Sequence, residues 1–191
     1  MTERTAPERT MRADAVRNRQ RLLEVALRVL SENGDAPLDA IAKAAGVGSG
    51  TLYRHFPTRE ALIEAVYQNE LTSLCESAEQ LLATTDPRSA LRAWMHGFLD
   101  YATTKRGLAG ALRAVIATGT NPFEHSRARI LAALSALLTA GAAAGGVRPD
   151  TEPFDVLTTL SGFALASSDP AQHARLLDLL IAGLAPAPVR T

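Results

Sequence analysis

Between Ser49 and Arg59 the chain reads SGTLYRHFPTR, which brings hydroxyls, a phenol, guanidinium groups and an imidazole close together. These groups exchange hydrogen bonds readily, but they do not make up a nucleophile, base and orienting acid of the kind catalysis requires. At about 100° per residue of helix, Leu52 and Phe56 share one face and Gly50 and Arg54 lie opposite it. Thr51 and His55 flank that outer face on one side, Ser49 and Tyr53 on the other. A helix built this way buries two apolar side chains and turns donors and aromatic edges towards a partner. Arg54 could fork onto the O6 and N7 of guanine, and Thr51 could touch a thymine methyl or a base edge. Tyr53 and His55 could hydrogen-bond phosphates, while Gly50 allows close approach of the backbone. The chemistry these residues suit is recognition of a DNA duplex.

The flanking sequence predicts the elements that hold this helix. Leu38, Ile41, Ala42 and Ala45 form the apolar stripe of a preceding helix that opens at Pro37 and ends at Gly46, a residue free to adopt the left-handed conformation. Helix, glycine turn and helix from Leu38 to Phe56 make a helix-turn-helix. A first helix from about Asp14 to Asn33 carries Leu22, Leu23, Ala26, Val29 and Leu30, with Gly34 placed to cap it. Thr58 caps a fourth helix with Ala61, Leu62, Ala65, Val66 and Leu71 or Leu74 on its apolar face. Beyond Asp86-Pro87, five further helices are expected: Arg88 to Lys105, Leu108 to Thr118, Pro122 to Ala144, Glu152 to Ser167 and Pro170 to Leu184. The fold class is all-α with about nine helices, since no stretch alternates with the period of a strand. The expected division is a helix-turn-helix domain over 1–70 and a helical ligand-binding and dimerisation domain over 71–191, with loose ends at 1–12 and 185–191.

Composition narrows the function further. The formal net charge is zero, yet Met1 to Arg59 holds ten Lys and Arg against seven Asp and Glu, with Arg12, Arg17, Arg19 and Arg21 close together. A modest basic patch therefore sits inside a neutral protein. The single cysteine, Cys75, excludes an intramolecular disulfide framework, and four scattered histidines leave no Cys/His metal motif. Cys75 reads as inert, with Glu76 and Glu79 beside it to discourage a thiolate. Gly46 to Gly50 superficially suggests a phosphate loop, but no strand precedes it and no Gly-Lys-Ser/Thr follows. No cofactor, metal site or enzyme activity is expected. A reducing cytoplasm fits the cysteine usage, and MTERTAPERT lacks the apolar stretch of a signal peptide. Ile130 to Val147 runs without a charge, but its Ala, Gly, Ser and Thr content favours a buried helix over a membrane span.

The run DAIAKAAGVGSGTLYRHFPTREALIEAVY, Asp39 to Tyr67, resembles the N-terminal signature of the TetR/AcrR family of bacterial regulators. With the preceding helix, the resemblance covers about a third of the chain. It implies that Ser49, Gly50, Thr51, Tyr53 and His55 approach double-stranded DNA and that Arg59 contacts a phosphate at the start of the fourth helix. Two departures stand out. Pro37 replaces the Thr or Ser that often opens the second helix, and Gly48 and Gly50 leave the recognition helix short of side chains. The resemblance also implies an effector-binding second domain dimerised through its last two helices. Trp94 to Tyr101 and the TTKRGLAGAL that follows are similar to the SbtR-like subgroup.

Within that second domain, Trp94, Met95, Phe98, Tyr101 and Phe123 are candidates either for a ligand cavity or for ordinary core. His96, His125 and His173 are isolated and suit solvated or packing roles. The last helix is apolar around much of its circumference, which a partner surface explains most simply. Leu160, Phe163, Leu177, Leu180, Ile181 and Leu184 are the candidate residues of a homodimer interface, and Ser161, Gly162, Ala164 and Ala166 are small enough for close helix packing. The expected function is a repressor released from a palindromic operator by an unknown small-molecule effector. The alternatives are a constitutive DNA-binding protein, or a helical carrier or enzyme that has kept the fold.

Overall fold

A computed structural model of the chain describes residues 6–186, with side chains from Val16 onward. The described residues form nine α-helices: α1 (Ala6–Glu32), α2 (Leu38–Ala45), α3 (Ser49–His55), α4 (Arg59–Thr84), α5 (Pro87–Gly107), α6 (Ala109–Ala117), α7 (Ser126–Ala143), α8 (Pro153–Ala166) and α9 (Pro170–Gly183). The loose ends expected from the sequence fall partly outside the described residues, at 1–5 and 187–191. The backbone is helical from Ala6, well before the expected start at Asp14, with Pro7 in the first turn where its missing N–H costs nothing. The chain divides into two compact units, one running up to Asn69 and including Gly107–Asn121, the other taking in Glu70–Arg106 and the residues from Pro122 on. A division after residue 70 therefore omits the 107–121 segment, whose grouping depends on packing and not on any local signal.

In the first unit, α1 packs on α2 and α2 on α3. Leu22, Leu23, Ala26 and Leu30 of α1 are buried, as are Leu38, Ile41, Ala42 and Ala45 of α2. Gly46 ends α2 with φ 68°, and its amide bonds to the carbonyls of Ala42 and Lys43. The Val47 amide also reaches the Ala42 carbonyl, at 3.0 Å, closing the turn that launches α3. An L side chain at position 46 would be strained there. Gly34, by contrast, does not adopt a positive φ. The α1–α2 turn is organised by Asn33 instead: its Oδ1 accepts from the Asp35 amide at 3.1 Å and its carbonyl from the Ala36 amide at 3.0 Å. An Asx-type bond does the work assigned to a left-handed glycine. Thr58 caps α4 as expected, its Oγ1 accepting from the Ala61 amide at 3.1 Å.

In the second unit, α7 packs on α8 and α8 on α9. Asp86 caps α5 by accepting from the amides of Arg88 and Ser89 at 3.1 and 3.0 Å. Contacts with Ser89 hold the exposed Asp86 carboxyl below its ordinary value, because they favour the ionised form. Asp169 caps α9 through the Ala171 amide at 3.0 Å. The charge-free run starts within α7 and continues past its end, and α7 buries Ile130, Leu134, Leu137, Leu138 and Gly141. Among the described residues no helix is long and apolar enough to cross a membrane. α7 begins at Ser126 and not Pro122, because residues 122–125 form a turn closed by the Ser126 amide on the Phe123 carbonyl at 3.1 Å.

Four of the six candidate interface residues belong to the chain's own core. Leu160 and Leu177 have no exposure, and Ile181 and Leu184 are 7% and 8% exposed. A side chain largely removed from water has little left to gain from a partner, and these four pack within the chain's own core. Phe163 and Leu180 are half-buried. The large apolar side chains that α8 and α9 expose are Phe154, Leu165 and Leu179.

Among the described glycines, Gly141 has the least room for a side chain. A Cβ there would lie 2.6 Å from Val147 Cγ2, whereas one at Gly97 would meet Leu74 Cδ1 at an ordinary 3.7 Å. Gly141→Ala is expected to lower stability by about 1–3 kcal/mol despite its better helix propensity, and Gly97→Ala to leave it unchanged or raised. Urea unfolding midpoints compare the two, and equal gains in both would show that Val147 moves aside.

Candidate nucleic-acid interface

α3 is a helix of seven residues held by one residue within it and one just beyond. Leu52 has no exposure and Phe56 is 3% exposed. Ser49, Gly50, Thr51, Tyr53, Arg54 and His55 are all exposed, so the opposition of faces read from the sequence is present in the fold. A Cβ at Gly50 would meet no atom of the chain within 4 Å, and internal packing therefore gives no reason for glycine at that position. Tyr53 is 45% exposed, which leaves its ring edge and hydroxyl open to a partner.

One support of this helix has no counterpart in the sequence reading. The Arg19 guanidinium lies 5.5 Å from the centroid of the Phe56 ring, a cation–π contact from α1 onto the residue that ends α3. Arg19 thus doubles as part of the basic patch and as a brace. Arg21, Arg28 and Lys43 are exposed in the same unit, alongside Arg54. These charges give the unit a positive contribution within a neutral protein.

Arg59 makes contacts within the unit. Its Nη1 donates to the Ala36 carbonyl and its Nη2 to the Gly34 carbonyl, both in the α1–α2 turn. Two of the five guanidinium N–H donors are thus engaged by backbone. Sequence reasoning missed this because the two partners lie 23 and 25 residues away, and no periodicity links a side chain to carbonyls at that distance.

The other candidates lie in the second unit, far along the chain from α3. Trp94, Met95, Phe98 and Tyr101 are buried along α5. The Trp94 and Phe98 rings stack at 6.0 Å, and those of Phe98 and Tyr101 are tilted at 6.2 Å. The Trp94 indole N–H donates to the Leu74 carbonyl at 2.9 Å, the usual requirement of a buried indole. Phe123 is half-buried under the Lys105 ammonium, which sits 4.3 Å from its ring centroid. Burial lowers the pKa of Lys105. Burial likewise raises that of the Cys75 thiol, opposed by Arg129 and reinforced to a lesser degree by Glu76. Desolvation therefore outweighs the neighbouring carboxylate in keeping this thiol protonated. His173 is buried, with Nε2 3.1 Å from the Ser167 carbonyl. Among the described residues no group of three or more His, Cys, Asp or Glu is placed to hold a metal.

Comparison with known proteins brings these features together. Residues 22–66 match the family model of bacterial regulatory proteins of the tetR family, and residues 86–186 match that of the C-terminal domain of SbtR-like transcriptional regulators. A crystal structure of a TetR transcriptional regulator from Streptomyces coelicolor is similar over 88% of this chain and 99% of its own, with 55% identity and a TM-score of 0.84. A TetR transcription regulatory protein from Mycobacterium vanbaalenii is similar over 92% of this chain and 99% of its own, with 35% identity and a TM-score of 0.77. An HTH-type transcriptional regulator of Staphylococcus aureus is 40% identical over 73 residues, which are 37% of this chain and 40% of that relative. That match spans about two fifths of the curated relative's length. A helix-turn-helix with its polar face outward, matched family models at both ends and similarity along most of the chain lead to one assignment: the protein belongs to the TetR family of regulators, with a C-terminal domain of the SbtR-like type.

Proposed function

We propose that the protein is a DNA-binding transcriptional repressor that acts as a homodimer in the cytoplasm and is released from a palindromic operator by a small-molecule effector. The single observation that carries the DNA reading is the exposed face of α3, on which Gly50, Thr51, Tyr53, Arg54 and His55 lie opposite the buried Leu52. α3 enters the major groove, Arg54 and Thr51 read base edges, and Ser49, Tyr53 and His55 position the backbone. Arg59 is engaged within the unit through Nη1 and Nη2, and the part assigned to it here is to hold the α1–α2 turn.

Dimerisation follows from the DNA geometry, since two recognition helices about 34 Å apart read two half-sites. On α8, positions 154, 158, 161, 162 and 165 follow the spacing of one helical face, and all five are exposed. Phe154 and Leu165 at its ends give that face large apolar groups that water solvates poorly, and Leu179 of α9 is exposed as well. This face is the dimer surface, in place of the four leucine and isoleucine positions assigned to core. The effector is read into the second unit near Phe98, Tyr101 and Phe123, while Trp94 and Met95, fully buried, serve the wall behind it. A regulator of this kind needs no catalytic set.

Selection of genomic fragments by the purified protein, followed by sequencing, tests the reading directly and is expected to return a palindrome. Arg54→Ala and Tyr53→Ala should each weaken binding by about tenfold or more, a loss of about 1–3 kcal/mol, and Arg54→Ala should also relax base preference at one position of each half-site. Retained affinity in both would remove the groove reading. Gly50→Ala should separate stability from binding, raising the unfolding free energy by up to about 1 kcal/mol while weakening operator affinity. Leu165→Glu with Leu179→Glu is expected to give a folded monomer by light scattering that no longer binds the full palindrome. A dimer that survives both substitutions would place the interface elsewhere. Thermal-shift screening for stabilising small molecules, followed by operator release, distinguishes an effector-controlled repressor from a constitutive one.

A further inference from the structure

We infer that Arg59 is a positioning residue of the DNA interface: its guanidinium ties the start of α4 to the turn that launches α2. The inference rests on the reading of α3 as the DNA-facing helix. Nη1 and Nη2 donate to two carbonyls two residues apart, Ala36 and Gly34. Two parallel donors on a rigid plane suit this pair, and a lysine ammonium does not reproduce them.

The turn it holds has little else to fix it. Pro37 precedes α2 with no side-chain capping bond, and Gly34 is not in a left-handed conformation. Apart from Arg59, the turn is organised by Asn33 through the Asp35 and Ala36 amides. Ala36 is 4% exposed, so its carbonyl requires a protein partner, which Arg59 supplies. α4 does not need Arg59 for its own start, because Thr58 already caps it through Ala61.

What the contact controls is therefore α2. The first turn of α2 rests on the Ala40 and Ile41 amides, which bond to the Pro37 carbonyl at 3.0 and 3.2 Å, immediately after the clamped residues. α2 in turn packs on α3, with Ile41 and Leu52 both without exposure. Releasing the turn lets α2 shift, and α3 shifts with it relative to the duplex.

Salt dependence and free-protein exchange test this together. Arg59→Lys and Arg59→Gln are each expected to weaken operator binding about tenfold, equivalent to about 1.4 kcal/mol, while the slope of log affinity against log salt stays at the wild-type value. In the free protein, amide hydrogen exchange at Ala40 and Ile41 should be faster in both variants, with the rest of the unit unchanged. A phosphate contact predicts the opposite pattern: Lys restores affinity, Gln takes about 0.9 off the slope, and exchange is unaltered. That pattern would overturn the inference. If wild-type protein selects no DNA, the reading of α3 fails, and the exchange rates alone then decide whether Arg59 holds the turn.

Discussion

A helix of two turns is unstable by itself, and α3 exists because Leu52 and Phe56 are removed from water beneath it. Everything proposed for the interface depends on that burial. It sets the rotation of α3 about its own axis and so decides that Gly50 and Arg54 face outward. Because the helix is short, its orientation comes from its supports: the Gly46 turn at one end, and Phe56 under the Arg19 guanidinium at the other.

Those supports share functional residue types. Arg19 and Arg59 belong to the basic residues of the N-terminal segment, yet one covers an aromatic ring and the other holds backbone carbonyls. Guanidinium groups serve both purposes because a planar, weakly hydrated cation stacks on rings and also forks onto oxygen pairs. Counting basic residues near α3 therefore does not show which of them also brace the unit. Exposure separates Arg54, Tyr53, His55 and Thr51, which are open to solvent, from Arg59, which is half-buried.

The second unit shows the same distinction between composition and placement. Its last two helices are apolar enough to suggest a partner surface, but Leu160, Leu177, Ile181 and Leu184 face inward, and Phe154, Leu165 and Leu179 face outward. The apolar excess was visible in the sequence. Its division between core and surface was not, because both faces of α9 are leucine-rich and periodicity cannot say which one the chain covers itself. Likewise, the aromatic row of α5 was legible as a row, whereas the indole bond from Trp94 to the Leu74 carbonyl crosses from one helix to another.

The all-helical class, the order of the elements, the glycine that ends α2, the threonine that caps α4 and the two faces of α3 were all settled by local sequence. Each follows from interactions between residues no more than a few positions apart, where helix geometry converts spacing directly into direction. Tertiary structure alone decided the clamp of Arg59 on Gly34 and Ala36, the brace of Arg19 on Phe56, the grouping of 107–121 with the N-terminal unit, and which leucines of α8 and α9 are core. These join residues separated by many turns of chain, and their partners are fixed only once the helices pack, since spacing along the chain carries no information about which surfaces meet.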